Sequence, residues 1–311
     1  MLEQSFIIYG AGQMGKMGFE LLSLHQKADY VYGFCDKAYQ EIKYIENKKV
    51  FSYKEAKELG LPFLLAISGK AGDEVAAMLE SDGQHCFQFD TLADWCGLDL
   101  PTFNREYVAK FHVERMDEYF TSVESEQSLC TYWGEDSSFF RMFQELDLSH
   151  VIELACGRGR HVPKYIDQAG DVTLVDILQK NIDFCKKRFS DKENIFYYCN
   201  NGYNLEELES EHYSALFSYD AVVHFEMMDI FSYLKDIYRV LRTGGLALIH
   251  HSNNDSDYKA SFINSISGRS FMNQKIFAYL SYRAGFEVVE QQVIDWGEKD
   301  WDCISLLRKN A

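Results

Sequence analysis

A glycine-rich turn in the second half of the chain carries the strongest chemical signal in the sequence. The segment VIELACGRGR places Glu153 near the end of an apolar run, with Gly157 and Gly159 in the turn that follows. Glycine lets the backbone approach a ligand closely, because a side chain at that position would block the contact. The next apolar run, VTLVD, ends in Asp176, whose carboxylate is placed to accept hydrogen bonds from both hydroxyls of a ribose.

A second glycine-rich turn lies near the N-terminus, in the segment IIYGAGQMGKMG. Its G-x-G-x-x-G pattern follows an apolar run and precedes a helical pattern, which is the context that dinucleotide-binding turns require. A phosphate would lie at the N-terminus of that helix, and Asp36, at the end of the next apolar run, would bind a ribose. The predicted nucleotide-binding residues are Gly10, Gly12, Gln13, Met14, Gly15 and Asp36.

The composition limits the partners and the location of the protein. The chain has 311 residues, enough for two domains, and a formal net charge of -17, which opposes binding to nucleic acid and to anionic lipid. The eight cysteines form no C-x-x-C pair, and no residue spacing predicts a metal site. No run of about 18 apolar residues predicts a membrane span. We expect a cytoplasmic protein with reduced thiols and no membrane insertion; an oligomer is compatible with the sequence.

Alternating strand and helix patterns position both turns and predict an α/β fold with two Rossmann-like domains. Residues 1–98 predict a small nucleotide-binding-like unit in the order β-α-β-β-α-β-α. Residues 99–149 predict a helical connection, in which Pro101 breaks the chain and Tyr107–Phe120 is a helix.

A second α/β series occupies residues 150–311. Its first strand is predicted at Val151–Ala155 and its fourth at Tyr219–His224. Two long strands at the C-terminus are joined by the polar turn GEKD, which predicts an antiparallel hairpin.

The motifs of this second series resemble those of the class I S-adenosylmethionine (SAM)-dependent methyltransferases. The glycine-rich turn is followed, in the family's order and spacing, by VTLVD, CNNG, SYDAVVHFEMMD and VLRTGGLALIH. The resemblance implies a methyltransferase sheet that ends in the hairpin, SAM as methyl donor and S-adenosylhomocysteine (SAH) as product. It also implies that Glu153 holds the methionine amino group and that Asn201 binds the adenine edge. Ala155 departs from the family, which usually has glycine there.

Two aromatic residues before the first strand, Tyr132 and Trp133, are expected to fold over SAM. The cofactor-binding residues that the resemblance and these positions imply are Tyr132, Trp133, Glu153, Ala155, Cys156, Gly157, Gly159, Asp176, Ile177, Asn201 and Gly202.

Histidines near the predicted ends of the fourth and fifth strands suit a methyl acceptor that is a hydroxyl. Such an acceptor benefits from a general base, and histidine titrates near neutral pH. His251 is the first choice for this base and His224 the second, with Glu226 placed to orient either ring. The residues predicted to meet an anionic acceptor are Arg160, His161 and Arg269.

Two narrower resemblances suggest the pathway. NREYVAKFHVERMDEYF, YWGEDSSFF, VIELACGRGRHVP and IHHSN resemble methyltransferases of bacterial capsule and surface-polysaccharide loci, which implies O-methylation of a sugar or phosphorylated sugar. The N-terminal unit is similar to small nucleotide-sugar-binding domains that precede sugar acyltransferases. Alternatives stay open for both units: an N-methyltransferase acting on an amino sugar, a bifunctional NAD(P)-linked oxidoreductase, or a non-catalytic SAM-binding assembly protein, with a docking role for the N-terminal unit.

Overall fold

The computed structural model describes residues 4–114, 116–256, 258 and 269–310. These residues fall into two compact units, divided between Phe111 and His112. Each unit has its own mostly parallel sheet, so the predicted α/β class with two Rossmann-like sheets is confirmed.

A single sheet organises the first unit. Its strands are β1 (Phe6–Tyr9), β2 (Val31–Cys35), β3 (Tyr44–Ile45), β4 (Lys48–Phe51), β5 (Phe63–Leu65) and β6 (Cys86–Phe87). They lie in the order β3-β4-β2-β1-β5-β6, and β3 alone runs antiparallel to its neighbour. The central strands β1 and β5 are continuous apolar runs, FIIY and FLL, as expected for parallel strands that are covered on both faces.

Helices connect these strands and lead out of the sheet. They are α1 (Gln13–Leu24), α2 (Tyr53–Glu58), α3 (Gly69–Ser81), α4 (Thr91–Cys96) and α5 (Leu100–Phe103), followed by a π-helical turn (Asn104–Ala109) and α6 (Lys110–Glu114). Pro101 does not break the chain as predicted. It lies in the first turn of α5, where a missing N–H costs no hydrogen bond, and the Asp99 side chain caps that turn by accepting from the Thr102 N–H at 2.9 Å.

The second unit is built on a larger sheet. Its strands are β7 (His150–Leu154), β8 (Asp171–Asp176), β9 (Ile195–Cys199), β10 (Tyr213–Ser218), β11 (Leu241–Ser252), β12 (Phe286–Trp296) and β13 (Glu298–Lys309). Their order is β12-β13-β11-β10-β7-β8-β9. The strands β7 to β11 pair in parallel, whereas β13 is antiparallel to both β11 and β12. The predicted C-terminal hairpin is therefore present.

Helices of the second unit precede and connect its strands. They are α7 (Asp117–Ser122), α8 (Glu126–Trp133), α9 (Ser138–Phe143), α10 (Val162–Tyr165), α11 (Gln179–Arg188), α12 (Met227–Val240) and α13 (Gln274–Ala284). Strand side chains alternate between two apolar clusters: Val151 belongs to one, and its neighbour Ile152 to the other. The sheet is buried on both faces, so its strand ends are the places where polar groups can gather.

The predicted fourth strand, Tyr219–His224, is wrong. The strand is Tyr213–Ser218, and every residue in it is buried. Asp220 has a positive φ of 57°, which ends the extended conformation, and Val222–His224 form a 3-10 turn. The two valines after Asp220 imitate a strand in the sequence because they are buried against the same core as their neighbours.

Candidate active site

The glycine-rich turn joins β7 to α10 with a backbone that few other residues could adopt. Three of its residues have positive φ angles: 57° at Ala155, 54° at Gly157 and 72° at Gly159. A Cβ atom on Gly159 would lie 2.6 Å from the ring of Phe189. Position 159 therefore requires glycine, both for its φ angle and for space. Ala155 is a strained residue, because it has a left-handed backbone conformation at the position where the family usually has glycine.

Glu153 lies at the end of β7 and is 2% exposed. Its Oε2 accepts a hydrogen bond from the Tyr165 hydroxyl at 2.7 Å, but its Oε1 is buried with no hydrogen-bond partner among the described residues. Burial raises the pKa of Glu153 to about 8. A buried acceptor without a donor is costly, so this atom is suited to meet a ligand cation.

Asp176 ties the end of β8 to the glycine-rich turn. Its Oδ2 accepts from the Gly157 N–H at 2.9 Å, and its Oδ1 accepts from the Leu178 N–H at 2.9 Å and from Asn181 Nδ2 at 3.1 Å. Burial raises the pKa of Asp176 to about 6, although these hydrogen bonds oppose the shift. The carboxylate thus shapes the turn directly, and the predicted ribose contact would share oxygens that the protein already uses. Ile177 follows it in the loop to α11.

Asn201 lies after β9 as predicted, but its side chain serves its own turn. Its Oδ1 accepts from the backbone N–H groups of Tyr203 at 3.1 Å and Asn204 at 3.0 Å, and its Nδ2 donates to Asn204 Oδ1 at 2.7 Å. Gly202 permits the turn with a φ of 88°. All three of these side-chain hydrogen bonds of Asn201 are therefore made within its own turn.

The aromatic pair Tyr132 and Trp133 ends α8 and packs into the unit rather than standing free. Tyr132 is 5% exposed, and its ring stacks on Trp296 with centroids 5.5 Å apart. The Trp133 indole donates to His161 Nδ1 at 3.0 Å. His161 is buried, which holds its pKa well below the usual range, so the ring is neutral. The end of α8 is thus packed against His161, the residue that follows the glycine-rich turn and Arg160 in the sequence.

An ion pair with little exposure joins Arg160, which packs against the Tyr132 ring, to Asp220 after the end of β10. Arg160 Nη2 donates to Asp220 Oδ2 at 3.0 Å, and the Tyr119 hydroxyl donates to the same oxygen at 2.7 Å. Burial opposes ionisation of Asp220, but the Arg160 charge and both hydrogen bonds outweigh it and keep the Asp220 pKa below its usual value. Asp220 is therefore a fixed anion at the strand end.

The same chain of contacts continues into β11 and β13. The Asp220 N–H donates to His250 Nδ1 at 3.1 Å, and His250 Nε2 lies 3.0 Å from Asp302 Oδ2. Arg269 binds both oxygens of Asp302, at 2.7 and 2.6 Å. Arg269, predicted to meet an acceptor, is 6% exposed and engaged by this carboxylate. The network fixes the backbone of Asp220 in its left-handed conformation.

The two histidines predicted as general bases lie in different surroundings. His251 is fully buried, its ring stacks on Phe277 with centroids 3.7 Å apart, and its nitrogens face Ser252 O and Ser305 Oγ, each at 2.8 Å. Burial lowers the pKa of His251 to about 3. His224 is half-buried in the 3-10 turn that leads to Glu226, the N-cap of α12. This placement favours His224 over His251 as a base.

Sequence reasoning missed four residues of this network: Tyr119, Asp220, His250 as a partner of Asp220, and Asp302. The signal for Asp220 is the SYD segment, in which a turn-forming aspartate follows a run of six residues, Tyr213–Ser218. Asp302 is separated from His250 by 52 positions, and only the antiparallel register of β11 and β13 brings them together.

The helix α7 covers the glycine-rich turn. Its Asp117 pairs with Arg158 and with Lys180, the latter at 3.2 Å, and a Cβ on Gly157 would lie 2.9 Å from the ring of Phe120. Arg158 lies between the Phe120 and Phe184 rings, 4.9 Å from each centroid. This short helix thus packs against Gly157 and Arg158 of the turn.

The N-terminal glycine-rich turn is held by a carboxylate from the end of the next strand. Asp36 accepts from the Ala11 N–H at 2.7 Å and from the Ala38 N–H at 2.9 Å, which joins the ends of β1 and β2. Gly15 is packed against Gly10 O, only 1.9 Å from where its Cβ would lie, whereas a Cβ on Gly12 would meet nothing within 4 Å. Gln13 and Met14 begin α1, the first exposed and the second buried.

Comparisons with known proteins agree with this arrangement. Residues 151–245, about a third of the chain, match the family model described as a methyltransferase domain. The chain is similar in structure to the [4+2]-cyclase SpnF, with 12% identity, a TM-score of 0.53 and coverage of 67% of this chain and 97% of that one. No curated protein matches the chain.

Two further solved structures are similar at lower scores. An S-adenosylmethionine-dependent methyltransferase from Mesorhizobium loti has 11% identity and a TM-score of 0.46, covering 55% of this chain and 96% of that one. A geranyl diphosphate methyltransferase in complex with SAM has 11% identity and a TM-score of 0.46, covering 55% and 83%.

The second unit contains the residues that match a methyltransferase domain. The partnerless Glu153 Oε1 and the left-handed glycines of the turn fit SAM as a ligand, because SAM carries an ammonium group and needs close backbone approach. Among the residues that the structure describes, no three His, Cys, Asp or Glu side chains converge on a metal position. None of the helices described is both long enough and apolar enough to cross a bilayer.

Proposed function

We propose that the second unit transfers the SAM methyl group to a hydroxyl of a sugar or sugar-derived acceptor, in surface-polysaccharide synthesis. The observation that carries the proposal is the combination, next to the glycine-rich turn, of aromatic surfaces and fixed charges. Tyr132, Tyr219 and Trp296 pack together there, and the Arg160–Asp220 pair lies against Tyr132. Of these rings the half-buried Trp296 can offer a face to a sugar ring, and charged groups can bind the sugar's hydroxyl or phosphate groups.

The chain would act mainly by alignment, since SAM supplies its own leaving group. Glu153 would hold the amino group of SAM, and the turn around Gly157 and Gly159 would lie along it. His224 would accept the proton of the acceptor hydroxyl, with Glu226 orienting the ring. His161 would border the acceptor as a neutral group.

For the N-terminal unit we propose binding of a nucleotide or nucleotide-sugar. The open space beside Gly12, together with the Asp36 contacts that hold the turn, supports a diphosphate at the start of α1. A docking role and NAD(P) binding are the competing possibilities.

The test is methyl transfer from SAM to a panel of UDP- and GDP-hexoses, sugar phosphates and amino sugars, followed by mass spectrometry of the products. Hydroxyl methylation that His224→Ala reduces by about 100-fold at neutral pH would support the proposal. Methylation confined to amino sugars, insensitive to His224→Ala at high pH, would favour N-methylation. Consumption of NAD(P)H would favour the bifunctional alternative. SAM binding without transfer to any acceptor would favour an assembly protein.

A further inference from the structure

An acidic and a basic side chain on either side of the glycine-rich turn each keep one buried atom without a partner among the described residues. Glu153 Oε1 lacks a donor, and Arg160 Nη1 lacks an acceptor, among the residues that the structure describes. Seven positions separate the two residues, and the charge of Arg160 acts on the Glu153 carboxyl, whose pKa it lowers against the larger effect of burial. Buried polar atoms are nearly always paired in native proteins, so both atoms point to a ligand group.

The remaining contacts of Arg160 hold its guanidinium in place. Nη2 donates to Asp220 Oδ2 at 3.0 Å. The group packs 5.5 Å from the centroid of the Tyr132 ring, and the side chain is only 11% exposed. A guanidinium held by one ion pair and packed against an aromatic ring presents its free edge in one direction, which favours an anion with a defined position.

We propose that Arg160 Nη1 binds the carboxylate of the methionine part of SAM, and that Asp220 faces the sulfonium. The inference rests on the proposed methyltransferase function and reassigns Arg160 from the acceptor to the cofactor. The three buried side chains Glu153, Arg160 and Asp220 carry the charges minus, plus and minus when ionised. SAM carries an ammonium, a carboxylate and a sulfonium, so its charges are plus, minus and plus.

The sheet register supports this order. Glu153 is paired with Phe217 in the parallel pairing of β7 with β10, and Asp220 follows three residues later. Glu153 and Asp220 thus end neighbouring strands at the same edge of the sheet, and Arg160 connects the two positions through its ion pair with Asp220. The His250 contact to the Asp220 N–H keeps the second carboxylate at that edge.

The test compares SAH with its decarboxylated analogue by calorimetry, using the full-length protein and the variant Arg160→Gln. The wild-type protein is expected to prefer SAH by roughly 10- to 100-fold, as for a charge-assisted hydrogen bond. Arg160→Gln should reduce that preference to about threefold or less. Arg158→Gln, in the same turn, should keep the wild-type preference and serves as the matched control.

Each outcome decides the question. If Arg160→Gln weakened the binding of SAH and of the decarboxylated analogue equally, Arg160 would have only a structural role. If the wild-type protein bound SAH no more tightly than the decarboxylated analogue, the assignment of Arg160 would be wrong while the proposed function would stand. A wild-type protein that binds neither ligand would instead remove the proposed function. If Arg160→Gln does not fold, Arg160→Lys keeps the charge without the fork, and an intermediate preference is expected. Asp220→Asn should also lower the preference for SAM over SAH several-fold, while Asp117→Asn should not.

Discussion

At the scale of single residues, the protonation of Glu153 links cofactor binding to pH. Burial raises its pKa to about 8, so the folded, ligand-free protein keeps a proton there that the unfolded chain releases near its ordinary pKa of 4.5. This carboxyl therefore makes the folded state less stable as pH rises from about 4.5 to 8. An ammonium group at Oε1 would reverse the balance, because it favours the carboxylate.

We accordingly expect SAH to bind more tightly as pH rises from 6 to 8, by up to about tenfold per pH unit, with release of a proton. Calorimetry in buffers of different ionisation enthalpy measures both the affinity and the proton. Glu153→Gln should bind weakly and lose the dependence on pH in this range. An affinity that is flat or falls with pH in the wild-type protein would rule out this role for Glu153.

His251 gives a second prediction at this scale, because its contacts are those of a core residue. Removing the ring by His251→Ala deletes the stack on Phe277 and leaves Ser305 Oγ without this partner. We expect a loss of about 2–4 kcal/mol in the free energy of unfolding. Thermal unfolding should show this as a lower midpoint, while SAH affinity of the folded protein stays unchanged.

The comparison variant is His224→Ala, whose half-buried ring lies in a 3-10 turn. It should change stability by less than about 1 kcal/mol but reduce methyl transfer. If His251→Ala kept full stability and abolished transfer, His251 would be the base after all.

At the scale of secondary-structure elements, the sequence predicts well where composition and local geometry agree. The first strand of the second unit, predicted at Val151–Ala155, is His150–Leu154, because an apolar run that ends at a glycine-rich turn has clear ends. The predicted bounds of the fourth strand of the second unit are wrong because the true strand, YSALFS, is less apolar than the AVV segment that follows it, whose two valines are buried as well. Long-range partners such as Asp302 and His250 cannot be read locally, since only strand register brings them together.

The helix α7 gives a prediction about ligand entry. Phe120 lies over Gly157, whereas Phe184 contacts the other face of Arg158 and is 42% exposed. We expect a ligand to approach Gly157 from the side that the Phe120 ring covers, so Phe120→Ala should raise the association rate of SAH several-fold in stopped-flow fluorescence.

Phe184→Ala is the matched control, since it also removes one ring from Arg158 but leaves the turn covered. Its association rate should equal that of the wild-type protein. Equal acceleration in both variants would assign the effect to Arg158 rather than to the cover over Gly157, and no change in Phe120→Ala would show that α7 does not limit entry.

At the scale of the whole molecule, two glycine-rich turns lie at the ends of central strands, one in each unit. Asp36 accepts the Ala11 N–H of the N-terminal turn, and Asp176 accepts the Gly157 N–H of the C-terminal turn. In both turns a carboxylate from the next strand accepts a backbone N–H of the turn. The same carboxylate-to-backbone hydrogen bond therefore holds two turns with different predicted ligands. Binding of each predicted ligand can be abolished by a substitution in its own turn.

Gly12 allows the N-terminal ligand to be tested without disturbing the fold. A Cβ there meets no protein atom within 4 Å, and the residue has an ordinary φ of -80°, so Gly12→Ala should fold with an unchanged melting temperature. The added methyl group would enter the space proposed for a diphosphate and weaken binding of UDP- or GDP-hexose by about tenfold or more, measured by calorimetry. SAH binding should be unaffected.

Gly15→Ala, whose Cβ would lie 1.9 Å from Gly10 O, should destabilise the protein and confirms that the method detects a steric clash. Nucleotide-sugar binding that survives Gly12→Ala would place the ligand elsewhere, and a wild-type protein that binds NADH instead would assign this turn to a nicotinamide cofactor.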